Sequence, residues 1–122
     1  MTKRILHVED QEYIINFTQR MLKHFRNYDV VVATSLEDAK EKAKEDYDLY
    51  IIDGNFPSKE KGLPGLCFYE HIKSKEKPCI FFSSEPEMEQ KAKEYGIKYL
   101  PKPSDFDKII EAVDEVLKPN IL

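Results

Sequence analysis

Short apolar runs recur along this chain, and each is separated from the next by a stretch with apolar residues at helical spacing. The runs are Ile5-Leu6-His7-Val8, Val30-Val31-Val32-Ala33, Leu49-Tyr50-Ile51-Ile52, Cys79-Ile80-Phe81-Phe82 and the briefer Ile97 to Leu100. A strand that is apolar at successive positions has both faces covered, as in a parallel sheet layered between helices. Neighbouring parallel strands need a crossover long enough to hold a helix. Right-handed crossovers then wind the chain onto both faces of one sheet. The pattern predicts an α/β fold with a doubly wound, five-stranded parallel sheet flanked by five helices.

The intervening stretches carry the helices. Ile14, Phe17, Thr18, Met21, Leu22 and Phe25 fall at i, i+3, i+4, i+7, i+8 and i+11, which is one helical face. Ser35 with Asp38 three residues later resembles a helix start, followed by a stripe of Leu36, Ala39 and Ala43. A third helix is expected from about Gly65, with Leu66, Tyr69 and Ile72 inward. Met88, Ala92 and Tyr95 mark a short fourth helix closed by Gly96. Ser104 is placed to cap a last helix whose inner face is Phe106, Ile109, Ile110, Val113 and Leu117, with Pro119 ending it.

Composition narrows the function classes. At 122 residues, 41% hydrophobic and 34% charged, residues 1–122 read as one globular domain. A net charge of -4 argues against nucleic-acid binding, which needs an excess of Lys and Arg. No apolar run is long enough to cross a bilayer, and the N-terminal one is too short for a signal peptide. Cys67 and Cys79 sit inside apolar patterns and read as buried reduced thiols, which favours a cytoplasmic setting.

Ligands of open parallel sheets bind beyond the carboxyl ends of the strands, so the polar residues there carry the chemistry. The first strand ends in Glu9-Asp10, the third in Asp53, the fourth in Ser83-Ser84 and the fifth runs into Lys102. If those ends adjoin, three carboxylates, a hydroxyl and an ammonium converge. Converging carboxylates repel and call for a cation. Lys102 offsets part of the charge, and Mg²⁺ with its preference for oxygen ligands offsets more. A carboxylate in that setting can take a phosphoryl group as an acyl phosphate, with the metal, ammonium and hydroxyl stabilising the phosphoryl oxygens.

Val8-Glu9-Asp10, Asp53 with Pro57 four residues on, Ser83-Ser84 and Lys102-Pro103 together resemble the receiver domains of two-component response regulators, from Lys3 to about Lys118. The resemblance implies a flavodoxin-like sheet of order 2-1-3-4-5. It implies that Asp53 is the phosphoacceptor. Glu9, Asp10, Asp53 and the backbone carbonyl of Asn55 would be the Mg²⁺ ligands, Glu9 acting largely through water. Ser83 would bind a phosphoryl oxygen and shift on activation, Ser84 would keep access open, Lys102 would pair with the phosphoryl group, and Tyr99 would be the switch aromatic. Asn55 and Glu85 together imply a short-lived phosphate, and Lys102-Pro103 a cis peptide. The implied partners are a histidine kinase or histidine phosphotransfer protein and an output protein or fused output domain, with no nucleic acid or membrane. A phosphorylation-linked homodimer is a further expectation.

Some features depart from the pattern. Ser58-Lys59-Glu60-Lys61 lengthens the loop after Asp53, as a mobile flap or a solvated excursion. The stretch from Ser83 to Lys102 is a few residues short, and Pro101 removes a backbone donor from the fifth strand, which an edge position tolerates. His7, His24 and His71 fall in strand or helix patterns and read as structural or surface residues. Two other function classes stay open. One is a degenerate receiver that only binds a partner. The other is a Mg²⁺-dependent phosphohydrolase of the haloacid-dehalogenase kind, which would need an acid where this chain has Asn55. The sequence ends at Leu122, which leaves both a stand-alone receiver and a piece of a larger regulator open.

Overall fold

The computed structural model describes residues 2–117. Five strands and five helices alternate: β1 (Arg4–Val8), α1 (Glu12–Arg26), β2 (Asp29–Ala33), α2 (Leu36–Lys42), β3 (Leu49–Ile52), α3 (Pro64–Ile72), β4 (Cys79–Ser83), α4 (Pro86–Tyr95), β5 (Lys98–Pro101) and α5 (Phe106–Leu117). A 3-10 turn, Lys73–Lys75, extends α3. All strand pairs are parallel, in the order β2-β1-β3-β4-β5. This is the flavodoxin-like, doubly wound sheet that the apolar pattern and the resemblance predict. Among the described residues no helix is long and apolar enough to cross a membrane.

The period-2 alternation of the strands divides the core in two. Leu6, Val8, Tyr50, Ile52 and Phe81 face one layer with Leu36, Ala39, Phe68, Ile72 and Met88. Ile5, Leu49, Ile51, Ile80 and Phe82 face the other with Ile14, Leu22, Ile109 and Val113. So α2, α3 and α4 cover one face, and α1 and α5 the other. β3 and β4 are buried at every position, whereas the edge strands β2 and β5 are partly open. Pro101 sits exposed on β5, where the missing donor costs no ladder bond inside the sheet.

Several expected helix details hold, and others shift. Ser35 caps α2, its hydroxyl accepting from Asp38 N at 3.1 Å, and Leu36, Ala39 and Ala43 are buried. Gly96 closes α4 with φ +68°. The buried stripe of α1 is narrower than the sequence suggests. Ile14, Thr18 and Leu22 are buried, while Phe17 (39% exposed) and Phe25 (48%) lie on its open flanks. On α3 the innermost side chain is Phe68, with Leu66 and Tyr69 only half-buried. Asp105, not Ser104, caps α5: its carboxylate accepts from Lys108 N at 3.1 Å, and Ser104 Oγ instead donates to Pro101 O. Cys67 is half-buried and Cys79 buried, both as free thiols. The Phe106 side chain and Pro119 lie outside the described residues.

Two polar groups sit inside the α1/α5 layer. His7 shares that face with Ile5 and is fully buried, and among the described residues neither ring nitrogen has a hydrogen-bond partner. Thr18 Oγ1, buried on α1, likewise has none among the described residues. Burial, assisted by the positive charge of Lys102, holds the imidazole far below its ordinary value of 6.5, at about 3. The folded state therefore keeps His7 neutral over a range where the unfolded chain protonates it, and stability falls as pH drops from about 6.5 toward 3. Replacing His7 with Val removes that term. Chemical denaturation of the variant should show a pH slope shallower by up to ~1.4 kcal/mol per unit within this window; an unchanged slope refutes the assignment. Ser35→Ala should cost about 1 kcal/mol in the same assay at neutral pH, the usual loss for an N-cap.

Candidate phosphoacceptor site

Register puts the acids side by side. Val8 pairs with Ile52 and Ala33, so the next residues of β1 and β3, Glu9 and Asp53, leave the sheet together. Glu9 N donates to Ala33 O at 2.9 Å and Asp53 N to Val8 O at 3.0 Å, which carries the ladder to the rim. Carboxylate oxygens of Glu9, Asp10 and Asp53 lie within 4.8 Å of one another. Glu9 is fully buried, Asp53 is 7% exposed and Asp10 is open to solvent.

Lys102 arrives from the far side of β4. Its backbone N donates to Ser83 O at 3.1 Å, and the Lys102-Pro103 peptide is cis. Its ammonium bonds Glu9 Oε1 at 2.6 Å and stands 3.2 Å from Asp53 Oδ2. It also sits over the Phe82 ring, 5.3 Å from the centroid. Three carboxyl groups gather here, and the Lys102 ammonium meets two of them. Burial accordingly pushes the Glu9 carboxyl up to about 7. The bond from Lys102 opposes that shift, and the Asp53 charge adds to it. An all-oxygen set of three carboxyl groups with one ammonium against it suits a hard divalent cation such as Mg²⁺.

The remaining predicted residues surround this centre. Ser83 is fully buried, its hydroxyl accepting from Glu85 N at 2.9 Å. Tyr99 OH donates to Ser83 O at 2.7 Å, so the ring is turned toward the site, and burial raises its hydroxyl above the ordinary value. Ser84 is exposed and lines an open cleft of about 640 Å³ with Tyr13, Ile14, Phe17, Phe82, Lys102 and other residues. Asn55 is exposed two residues past Asp53, and Glu85 is half-buried at the start of α4.

Sequence reasoning passed over Gly54 and Gly65. Gly54 N donates to Asp53 Oδ1 at 2.7 Å. Gly65 N donates to Gly54 O at 2.9 Å, and a β-carbon at Gly65 would lie 2.2 Å from Asp53 O. The first turn of α3 therefore rests directly on the Asp53-Gly54 peptide. A glycine directly after a strand-end acid was the signal available.

The lengthened loop does not lie free as a flap over Asp53. Leu36 N donates to Pro57 O at 2.9 Å, Lys59 N donates to Glu37 Oε2 at 3.3 Å, and Lys40 pairs with Glu60. These contacts tie the loop to α2.

The family model of the response regulator receiver domain matches residues 5–114. No curated protein matches significantly. Among solved structures, a CheY-like receiver domain protein from Methanospirillum hungatei is 25% identical. The match covers 96% of this chain and 94% of that one, with a TM-score of 0.82. Chemotaxis protein CheY4 of Vibrio cholerae is also 25% identical, over 96% and 100%, with a TM-score of 0.80. A response regulator of Chloroflexus aurantiacus shares the fold at 21% identity over 98% and 100%, with a TM-score of 0.83. With five parallel strands in this order, acids at the ends of β1 and β3 and a lysine after β5, the chain belongs to the response regulator receiver domain family.

Proposed function

We propose that the chain is a phosphoacceptor switch in which Asp53 takes a phosphoryl group from a histidine kinase or histidine phosphotransfer protein. The observation that carries this reading is the Lys102 ammonium placed against both Glu9 (2.6 Å) and Asp53 (3.2 Å) at one rim. An Asp53 carboxylate oxygen attacks phosphorus as the bond to the donor imidazole breaks, giving an aspartyl phosphate and a released imidazole that takes up a proton. Lys102 meets charge on the transferred group, and Ser83 supplies a hydroxyl beside it. Glu9, Asp10 and Asp53, with the Asn55 carbonyl, would hold Mg²⁺, which when bound neutralises the phosphoryl oxygens.

The cleft beside Lys102 gives a donor access, with Tyr13 at its edge 72% exposed. The added charge on Asp53 competes with Glu9 for Lys102 and attracts the hydrogen of the Ser83 hydroxyl, and the loops that hold Ser83 and Tyr99 rearrange in response. The output goes to a partner protein or a fused domain, with phosphorylation-linked homodimerisation as a further route. Asn55 and Glu85 flank the acceptor and make its phosphate short-lived.

Incubation with acetyl phosphate and Mg²⁺ should give one phosphoryl adduct by intact mass, absent from Asp53→Asn and after chelation of the metal. Uptake undiminished in Asp53→Asn would reject the assignment. Lys102→Met should slow uptake roughly a hundredfold, the scale of one lost charge-stabilising donor. Once the donor is removed the adduct should decay within minutes. Persistence for hours would show that Asn55 and Glu85 do not shorten its life.

A further inference from the structure

A glycine follows the acceptor in a place where the chain is fully packed. Gly54 is buried. A β-carbon there would lie 2.7 Å from Ser83 Oγ, 2.8 Å from Met88 Cγ and 2.9 Å from Glu85 Cγ. Contacts this short force something to move. Glu85 is half-buried and can yield, whereas Ser83 and Met88 are fully buried.

Ser83 has little freedom to yield. Its carbonyl accepts from Tyr99 OH at 2.7 Å and from Lys102 N at 3.1 Å, and its hydroxyl accepts from Glu85 N at 2.9 Å. The backbone is held from β5 and the side chain from the start of α4. With the Ser83 backbone fixed, the contact of a β-carbon on residue 54 with this side chain is relieved only by rotation of the hydroxyl, which gives up the bond from Glu85 N. The Asp53-Gly54 peptide donates its N–H to Asp53 Oδ1 at 2.7 Å. The acceptor carboxylate and the Ser83 hydroxyl thus meet at one peptide unit, and only a residue without a side chain leaves both in place.

We propose that Gly54 is a positioning residue for phosphoryl acceptance, its missing side chain being the space through which the Ser83 hydroxyl reaches the phosphoryl group on Asp53. The inference rests on Asp53 being the acceptor. It differs from a plain packing requirement in the residue through which it acts. A packing defect at Gly54 would be felt through Met88, the fully buried apolar neighbour, and a positioning defect through Ser83.

Four variants separate these outcomes: Gly54→Ala, Ser83→Ala, Gly54→Ala with Ser83→Ala, and Gly54→Ala with Met88→Ala. Initial rates of labelling by acetyl phosphate with Mg²⁺ are read by intact mass, and folding by thermal melting. Gly54→Ala should label at least tenfold more slowly than the wild type. In the Ser83→Ala background the same change should cost less than twofold, because the hydroxyl it displaces is already gone. Trimming Met88 should raise the melting temperature of Gly54→Ala without restoring its labelling rate. It also supplies a folded variant, should Gly54→Ala alone fail to fold. Wild-type labelling in Gly54→Ala, an equal loss with and without Ser83, or recovery of rate on trimming Met88 would each overturn the inference. A wild-type protein that takes up no phosphoryl group would overturn the acceptor assignment itself, and this inference with it.

Discussion

Five parallel strands all end on one side of the sheet, and their side chains at that rim have no further strand to face. In this chain the register between β1 and β3 fixes which residues arrive there together. Val8 opposite Ile52 delivers Glu9 and Asp53 as neighbours, and Ser83 opposite Pro101 delivers Lys102 one step beyond. A slip of one residue along either pair would turn these side chains to the opposite face. The apolar layers on both sides of the sheet, each dense with fully buried side chains, hold that register. Core packing is thus the condition of the site as well as of the fold.

The rim is electrostatically expensive, and its parts explain one another. A fully buried carboxylate such as Glu9 is tolerated only when paired, and breaking such a pair by removing one partner costs about 3–5 kcal/mol. Lys102 is that partner, and it serves Asp53 with the same ammonium. Apolar residues of like size in place of such a buried ion pair are often neutral or stabilising, so stability alone does not explain the cluster. His7 belongs to the same account. Lying on β1 two residues before Glu9, its ring is kept neutral by burial and by the Lys102 charge, which spares the interior a second cation.

The elements that read most clearly in the sequence were those decided by local chemistry. β3 is apolar at all four positions, and Ser35 with Asp38 made a cap that needs no tertiary help. Phe17 and Phe25 were misjudged as core because periodicity gives the side of a helix but not the width of the surface it meets. α1 is flanked by α5 on one side only, and the outer part of its stripe stays open. Phe68 was missed because Leu66, Tyr69 and Ile72 also fall at helical spacing; the buried stripe in fact runs through Pro64, Gly65, Phe68 and Ile72 and leaves Leu66 and Tyr69 at its edge. At the site, the acids and Lys102 were legible as strand-end residues. Their distances were not, since these depend on which strands adjoin. The role of Gly54 was illegible for a related reason: a glycine shows what it makes room for only when Ser83, Glu85 and Met88 are in place around it.

Ser83 is where these local arrangements become one device. It lies at the end of β4, between β3 and the edge strand β5. Its hydroxyl is bonded to the first residue before α4, and its carbonyl is bonded to both Tyr99 and Lys102. A displacement of Ser83 toward Asp53 must either break the bond from Glu85 N or carry the start of α4 with it. It must likewise strain or carry the Tyr99 bond on β5. Energetic coupling between distant surfaces requires an element with two discrete arrangements that both ends bias. Here the hydroxyl accepts from the Glu85 amide and keeps its own hydrogen to donate, so on the proposed reading a shift of Ser83 toward a phosphoryl group stretches the first bond while making the second. A single buried hydroxyl bonded on both its acceptor and its donor side would link charge at Asp53 to the outer face formed by α4 and β5.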